Sequence, residues 1–341
     1  MSDQRLNTRA SRVLISGSLA FDYIMTFPGS LKDHILPEKI HVLSVSFLFD
    51  SLKRHRGGVA GNIAYNLALL GESPVVVGAG GSDFGGYRVA FDALGIDTSL
   101  ILDIEDELTG SAFMTTDLDN NQINGFYPGA SGHAATVSVL EPARRVSIGL
   151  VGATSIDAMT RHAREIAAAG CRLIFDPSQQ VVAMSADDLM VGIDVAWAVA
   201  GSDYEMAIIE KKTGLTIDAL AAKVPLLVVT YGEFGSELRW QGESIRIPAV
   251  PTTALKDPTG GGDAYRAGLV KGLLDERELP ICGRLGALTA TYAIEQQGTQ
   301  EHAFTADEFV ARFDQAFPEL AGALEPSRLS KPSAFSARQT A

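Results

Sequence analysis

Short apolar runs alternate with longer amphipathic segments along most of the chain, and this alternation restricts the possible folds more than any other feature. The runs end in Gly, Ser or Asp and are VLISGS (13–18), VVVGAGG (75–81), IGLVGA (148–153), LIFDPS (173–178), AWAVAGS (196–202) and LLVVTYG (226–232). Because these runs are apolar on both faces, we expect strands of a buried parallel sheet. The segments between them have helical spacing, at 62–71, 87–95, 157–170 and 202–214. This pattern predicts βαβ units in a layered α/β domain.

The rest of the chain departs from this rhythm in three places. Longer helices are predicted near the C-terminal end, at about 262–276, 280–296 and 305–317. Residues 19–50 and about 105–127 contain alternating segments, HVLSVSFLF and SAFMTT, which predict extra strands outside the main sheet, as a small β lid. We therefore expect one domain over residues 12–325 with the lid inserted in it. The small, polar residues 326–341 are expected to form a disordered tail.

Composition excludes several classes of partner. The 341 residues include 28 basic and 41 acidic ones, a net charge of −13, which disfavours binding to nucleic acid or an anionic membrane. The two cysteines are far apart and the six histidines show no metal spacing, so neither a disulfide framework nor structural zinc is expected. The N-terminus lacks a secretory apolar region, and no apolar run reaches the roughly 18 residues of a membrane span. These features predict a reduced, soluble, cytoplasmic protein.

A glycine triplet precedes the first of the C-terminal helices, in DPTGGGDAYRAG (257–268). A helix N-terminus offers unpaired N–H groups and the positive end of a dipole, and Gly260, Gly261 and Gly262 would leave room there for an anion. Asp263 at the same place can take a proton from an attacking hydroxyl. Together they predict phosphoryl transfer to an alcohol. The alternative is a plain loop in which Asp263 is the helix N-cap.

A second glycine stretch, RGGVAGNIA (56–64), lies about 200 residues upstream. In the functional interpretation a substrate approaches the backbone at Gly58, and Asn62 forms a hydrogen bond with a hydroxyl. The alternative is a glycine-rich turn with an N-terminal Asn. The sequence contains no Walker A motif, no G-x-G-x-x-G after a strand, no H-E-x-x-H and no G-x-S-x-G. The triplet is therefore the leading candidate for handling phosphate.

Both stretches resemble signatures of the ribokinase-like (PfkB) kinases. DPTGGGDAYRAG is similar to their D-T-x-G-A-G-D motif and RGGVAGNIA to their G-G-x-x-x-N-x-A motif, in the same order and spacing. LLVVTYGEFGSEL resembles their T-x-G-x-x-G segment, which contacts ATP, and the blocks FYPGAS, DPSQQ and QGTQE resemble bacterial adenosine kinases. The resemblance covers roughly residues 12–320. It implies a ribokinase-like layered α/β/α domain with a mostly parallel central sheet and a small β lid.

The resemblance also implies a role for each matching residue. Asp263 would deprotonate the 5′-hydroxyl of adenosine, and the N–H groups of Gly260–Gly262 would form the anion hole. Asp22 would accept hydrogen bonds from the ribose hydroxyls, and Phe126 would stack on the purine. The full nucleoside-binding set is Ser18, Asp22, Ser46, Gly58, Asn62, Phe126, Gln179 and Gln180. The ATP-binding set is Ser202, Thr230, Gly232, Gly235 and Gly262. Glu205 would hold Mg²⁺ through water, and the ligands of a monovalent cation such as K⁺ would be Asp257, Thr259 and Gly298.

Several of these residues have simpler interpretations. Ser18 and Ser46 fit strand-end or lid serines, and Phe126 fits a core residue. Gln179 and Gln180 fit a solvated loop. Thr230 fits a strand residue whose side chain has no role in binding.

The sequence departs from the family pattern at three positions. Ser202 stands where the family has the Asn of N-x-x-E, which weakens the predicted magnesium and phosphate network. Gly261 replaces the usual Ala, a harmless change. Ala112 stands where adenosine kinases carry a second aromatic residue, with Phe113 beside it. If Phe113 does not take over that role, the purine is held less tightly and base specificity is looser.

The predicted activity is ATP-dependent phosphorylation of adenosine to AMP, with a lid that closes over the nucleoside. Exposed lid strands tend to pair edge to edge, so a homodimer through the lid is expected. Two rivals stay open. One is a kinase for another nucleoside or for a sugar such as ribose or fructose, and the other is a catalytically silent nucleoside-binding sensor.

Overall fold

A mostly parallel sheet of nine strands lies at the centre of the computed structural model, which describes residues 12–34, 45–119 and 121–330. The strands of the chain are β1 (Val13–Ser16), β2 (Ala20–Thr26), β3 (Ser51–Gly57), β4 (Val75–Gly81), β5 (Asp97–Ile104), β6 (Gly110–Thr116), β7 (Gln122–Tyr127), β8 (Ile148–Val151), β9 (Arg172–Phe175), β10 (Ala198–Ser202), β11 (Leu226–Thr230), β12 (Ser236–Trp240) and β13 (Glu243–Ile247). The central sheet has the order β13-β12-β11-β10-β9-β8-β1-β4-β5. Its antiparallel pairs are β11–β12 and β12–β13, at one end of the sheet.

Helices cover both faces of this sheet. They are α1 (Val59–Leu69), α2 (Gly85–Ala93), α3 (Leu140–Ala143), α4 (Ile156–Ala168), α5 (Ala186–Val195), α6 (Asp203–Thr213), α7 (Ile217–Lys223), α8 (Gly261–Leu274), α9 (Leu279–Ile294), α10 (Ala306–Ala316) and α11 (Pro326–Leu329). Because strand side chains alternate, Val13 and Ile15 share one core with α1, α8 and α9, whereas Leu14 shares the other with α4 and α5. The predicted α/β/α layering and buried parallel strands are confirmed.

A second sheet of four strands stands apart from the first, in the order β3-β2-β6-β7, and confirms the predicted lid. Strand β2 lies between antiparallel β3 and parallel β6, and β6 pairs antiparallel with β7. Strand β3 (51–57) lies just beyond the stretch 19–50 in which lid strands were expected. Of the segment HVLSVSFLF, residues 45–49 form no strand and residues 41–44 lie outside the described residues.

Some elements were not predicted, and one prediction needs correction. Strand β5 lies at the sheet edge with only Ile101 buried, and its apolar run, residues 100–102, is too short to predict a strand. The β12–β13 hairpin turns at Gln241 and Gly242, which have φ of 52° and 84°, as in a type I′ turn. The tail predicted to be disordered from residue 326 begins with helix α11, where Leu329 is buried. Residues 331–341 lie outside the described residues, and the domain boundaries otherwise stay a prediction.

Within the described residues, no helix combines the length and apolar character that a membrane span requires.

Candidate active site

A cavity of about 500 Å³ opens where the parallel strands end, between the central sheet and the lid. The carboxyl ends of parallel strands are the usual ligand site of open α/β sheets. The cavity is lined by Ser18, Ala20, Asp22, Gly58, Val59, Asn62, Ala112, Phe126, Ser178, Gln179, Ser202, Glu205, Thr230, Gly232, Thr259, Gly260, Gly262, Asp263 and Arg266. The chain thus brings most of the predicted site residues to one place, although they come from distant parts of the sequence.

The glycine triplet forms the start of helix α8 at this cavity. Gly260 is the N-cap with φ of 77°, a left-handed conformation that favours glycine. The interpretation of Asp263 as N-cap is therefore wrong, because Asp263 lies in the first turn of the helix. Gly261 donates its N–H to the Pro258 carbonyl oxygen (3.3 Å). Among the described residues the N–H groups of Gly260, Gly262 and Asp263 have no acceptor. The predicted anion hole was Gly260–Gly262, so Asp263 takes the place of Gly261 in the set of free N–H groups.

The Asp263 carboxylate is held by helix α1. Asn62 Nδ2 donates to Asp263 Oδ2 (2.8 Å), and Gln300 Nε2 donates to Asn62 Oδ1 (3.0 Å). Burial raises the pKa of Asp263 to about 7, although Asn62 and Arg266 lower it. A carboxylate with a pKa near neutrality is a suitable general base. Asn62 keeps one amide hydrogen for a hydroxyl, and Gln300 is a supporting residue that the sequence did not reveal.

Asp22 faces the cavity from lid strand β2. Its side chain is buried against Gly57, where any larger residue would collide with the carboxylate. Burial, followed by the charge of Asp257, raises the pKa of Asp22 to about 6, and His55 opposes the shift. The neighbouring Gly58 has φ of 89°, and a Cβ there would lie 2.6 Å from the Ser18 carbonyl oxygen. Glycine at 58 therefore lets the start of α1 lie against the strand that leads into the lid.

Ser202 and Glu205 form the start of helix α6. Ser202 Oγ accepts from the Glu205 N–H (3.3 Å), and Glu205 Oε2 accepts from the Ser202 N–H (2.7 Å). This is a capping box, so the serine in place of the family Asn has a clear structural reason. Both residues line the cavity. The S-x-x-E pattern of a capping box is present in the sequence, where the resemblance to the family N-x-x-E motif obscures it.

Arg266 lines the cavity and was not predicted. It forms an ion pair with Asp176 at the end of β9, and its Nη2 lies 3.7 Å from Glu205 Oε2. Burial favours the neutral form, but Asp176, Glu205 and Asp263 outweigh it and raise the pKa of Arg266. Burial also raises the pKa of Asp176 to about 6, although the positive charge of Arg266 lowers it. Ser178, with φ of 46°, is a second lining residue that was missed.

A few predicted residues lie outside the cavity lining. Ser46 is exposed, and Gln180 Nε2 donates to the Thr154 carbonyl oxygen (2.6 Å). Gly235 closes a turn where a Cβ would collide with the Ile247 carbonyl oxygen. Gly261 faces helix α9, because a Cβ there would lie 2.9 Å from Ile294 Cγ2. For Gly235 and Gly261, glycine is explained by packing.

The loop predicted to bind a monovalent cation is held together by Asp257. Its Oδ1 accepts from the Thr259 N–H (2.9 Å) and its Oδ2 from the Gly298 N–H (3.1 Å). The three predicted ligands therefore lie together beside the glycine triplet. Since backbone amides already use both carboxylate oxygens, a cation would depend on further oxygens, and this role stays a prediction.

The chain is similar to known proteins over most of its length. A family model described as the pfkB family carbohydrate kinase matches residues 24–306. A nucleoside kinase of Methanothermobacter thermautotrophicus is 32% identical over 305 residues, 88% of this chain and 95% of that protein. The structure of Burkholderia thailandensis nucleoside kinase in complex with inosine has a TM-score of 0.82 at 38% identity, over 90% of this chain and 98% of that one. Adenosine kinase from Sinorhizobium meliloti shares the fold, with a TM-score of 0.72 at 21% identity over 90% of this chain and 100% of that one.

The chain belongs to the pfkB family of carbohydrate kinases. The resemblance inferred from the two glycine motifs is therefore confirmed, and so is the ribokinase-like fold. As a pfkB kinase the protein is a phosphotransferase. The roles of its individual site residues stay predictions that the geometry can support.

Among the residues that the structure describes, one aromatic side chain lines the cavity of this pfkB kinase. Phe126 lines it and is 59% exposed, so the core interpretation of Phe126 is wrong. Ala112 pairs with Asp22 and Phe126 across the lid sheet and shares their face. Phe113 points to the opposite face and stacks on Tyr23, with ring centroids 5.1 Å apart. Phe113 does not take over the position of the missing second aromatic.

The kinase offers few groups to a metal ion. Among the residues that the structure describes, no group of three or more His, Cys, Asp or Glu side chains could hold one. Glu205 Oε2 is used by the capping box, while Oε1 accepts no hydrogen bond from a described residue. One carboxylate of this kind fits Mg²⁺ that arrives with nucleotide phosphates and keeps several waters.

Proposed function

We propose that this pfkB kinase transfers the γ-phosphoryl group of ATP to the 5′-hydroxyl of purine nucleosides, adenosine among them. The observation that carries the proposal is the position of Asp263 beside the unpaired N–H groups of helix α8, in one cavity with Asp22 and Phe126. A base next to an anion hole suits phosphoryl transfer to an alcohol. Relatives named nucleoside kinases, including one in complexes with inosine and with ADP and inosine, support the acceptor and the donor.

In the proposed mechanism each group has one task. Asp22 accepts hydrogen bonds from the ribose hydroxyls and so directs the 5′-hydroxyl towards Asp263. Asp263 takes the hydroxyl proton as the oxygen attacks phosphorus. The N–H groups of Gly260, Gly262 and Asp263 hold the phosphoryl oxygens, where negative charge is greatest. Glu205 would hold Mg²⁺ through water, and the ion supplies neutralisation of phosphate charge when bound.

We propose a base range wider than adenosine. Phe126 is the one aromatic side chain among the described lining residues, and its face offers stacking that every purine can use. Gln179 is the only described amide of the DPSQQ segment that lines the cavity, since the Gln180 amide is bonded to Thr154. With few groups to read the purine edge, the kinase should accept inosine as well as adenosine.

We also propose a homodimer through the lid. Strand β7 is an edge strand whose six residues are all exposed. The lid face opposite the cavity carries exposed apolar side chains, Leu52, Phe113, Ile123 and Tyr127. An exposed edge beside an apolar face favours pairing with a second copy.

The test of the proposed reaction measures ADP release from Mg-ATP with adenosine, inosine, guanosine, ribose and fructose. We expect turnover with adenosine and inosine and little with the free sugars. Turnover with sugars alone would contradict the purine pocket. Absence of turnover, with adenosine still bound, would instead favour the nucleoside-binding sensor.

The matched variant is Asp263→Asn, which keeps the shape and the hydrogen bond from Asn62. We expect adenosine affinity to stay within about threefold and kcat to fall by about 10²–10⁴, the range for loss of a general base. Undiminished kcat in this variant would remove Asp263 from the mechanism.

A further inference from the structure

Arg266 is the only Lys or Arg among the described residues that line the cavity. It lies three residues after Asp263 on helix α8, so the two side chains share one face of the helix. The mechanism above uses the carboxylate and the backbone N–H groups but assigns nothing to this guanidinium. Its side chain is only 6% exposed, so its position is fixed by the protein.

The two edges of the guanidinium have different surroundings. Nε and Nη2 face carboxylates: Arg266 forms an ion pair with Asp176, and Nη2 lies 3.4 Å from Asp176 Oδ1. Nη1 lies over the glycine loop, since a Cβ at Gly262 would be 2.5 Å from it. No described residue accepts a hydrogen bond from Nη1. One donor group of Arg266 is therefore free beside Gly262, whose N–H also has no acceptor among the described residues.

The negative charge of the cavity floor favours a fixed cation beside an entering phosphoryl group, in addition to any Mg²⁺ that arrives with the nucleotide. Asp176, Glu205 and Asp263 surround this point, and three carboxylates would repel an anionic phosphoryl group. A buried ion pair by itself is weak evidence for a contribution to stability, because apolar residues of similar size often serve as well. In Arg266 one edge of the guanidinium is held by Asp176 and the other edge, Nη1, lies beside the proposed anion site. This arrangement is better explained by binding of an anion than by stability alone.

We propose that Arg266 Nη1 donates a hydrogen bond to the phosphoryl group during transfer, and that Asp176 is the positioning residue that orients the guanidinium. This inference rests on the proposed function. The phosphorus–oxygen bond to the departing ADP breaks, the bond to the acceptor oxygen forms, and the hydroxyl proton passes to Asp263. Arg266 keeps all its protons throughout.

The main test compares Arg266→Met and Arg266→Lys with Lys271→Met. Lys271 is a matched control because it lies on the same helix, is buried and is paired with Glu72 (2.8 Å) and Asp275 (3.2 Å), but does not line the cavity. We expect Arg266→Met to lower kcat by about 10²–10³, with adenosine affinity within threefold. Arg266→Lys should have a higher kcat than Arg266→Met, since lysine keeps the positive charge but lacks the planar guanidinium that donates from two edges. Lys271→Met should lower the melting temperature and leave kcat of the folded enzyme within about twofold.

Arg266→Met leaves Asp176 without its partner and so risks misfolding. The double variant Arg266→Met/Asp176→Asn removes both charges and should fold, with the same loss of kcat. Affinity gives a second readout. The contact to the transferred phosphoryl group predicts that the double variant binds a non-hydrolysable ATP analogue at least about tenfold more weakly, and ADP within threefold.

A purely indirect role would act through Asp263, whose carboxylate faces Asn62, Arg266, Asp176 and Glu205. Loss of Arg266 would then raise the pKa of Asp263, and kcat would recover once the pH exceeds that pKa. We expect the loss of kcat to persist at pH 9. Recovery at pH 9, or kcat of Arg266→Met within threefold of wild type, would overturn the inference while the nucleoside kinase function stands. A wild-type enzyme without kinase activity would overturn both.

Discussion

At the scale of single residues, the proposed mechanism depends on two buried carboxylates whose pKa values would set the pH range of activity. Asp263, with its pKa raised to about 7, must be ionised to take a proton. In the proposed mechanism Asp22, with its pKa raised to about 6, must be ionised to accept hydrogen bonds from both ribose hydroxyls. Because both values are raised, both functional forms are lost as the pH falls. Activity should therefore be greatest above neutral pH.

We predict that kcat/KM for adenosine falls about tenfold per pH unit from pH 7 to 6, and more steeply below pH 6, where a second proton binds. The measurement is the profile of kcat/KM from pH 5 to 9. Asp22→Asn is the control, because its lower activity should retain a one-proton slope down to pH 5. A wild-type profile that is flat between pH 5 and 8 would contradict the assignment of both carboxylates.

Residues with a local signal could be predicted from sequence, and residues whose partners are distant could not. Asp263 and Asn62 were found because each follows a glycine motif. Arg266 lies inside the quoted motif DPTGGGDAYRAG, but its meaning depends on Asp176, 90 residues away, and no local pattern shows that pair. Ser202 is the opposite case, since its capping box is a local pattern that resemblance to a family motif obscured.

At the scale of elements, the alternation of side chains along β6 and β7 decides which aromatic side chain faces the cavity. Ala112 and Phe113 are neighbours in one strand and so point to opposite faces. The opposite orientation of these two side chains could be predicted from the sequence, because SAFMTT was predicted to be a strand. The pairing of Ala112 with Phe126 could not be predicted, because strand register depends on the whole sheet.

We predict that Phe126→Ala raises KM for adenosine about tenfold or more, since stacking on a base contributes on the order of 1–3 kcal/mol. Phe113→Ala, on the opposite face of the neighbouring strand, is the matched control and should leave KM within about twofold. Steady-state kinetics with adenosine and inosine distinguish the two variants. An equal rise of KM in both would show that the lid as a whole is loosened and that Phe126 has no specific role.

At the scale of the whole molecule, the α/β/α domain buries both faces of its central sheet, and the lid sheet above the cavity is largely exposed. The parallel strands and covering helices were predictable because each is a continuous apolar or amphipathic segment. The edge strand β5 and the β12–β13 hairpin were missed because their residues are polar or partly exposed. The lid is open to solvent along β7 and on its outer face, and this exposure makes oligomeric state a property to be tested.

We predict that the kinase is a dimer at micromolar concentration and that Ile123→Lys makes it a monomer. Ile123 lies on edge strand β7, is 46% exposed and is paired with Thr115 on the outer lid face. In a two-fold symmetric contact through β7, the lysines at position 123 of the two copies would lie close together and repel each other. Lysine on an edge strand also disfavours pairing with another strand. Val89→Lys is the control, because Val89 is 68% exposed on α2, outside the lid, and should leave the dimer intact. Sedimentation velocity measures both. A monomeric wild type, or an Ile123→Lys variant that stays dimeric, would contradict pairing through this strand.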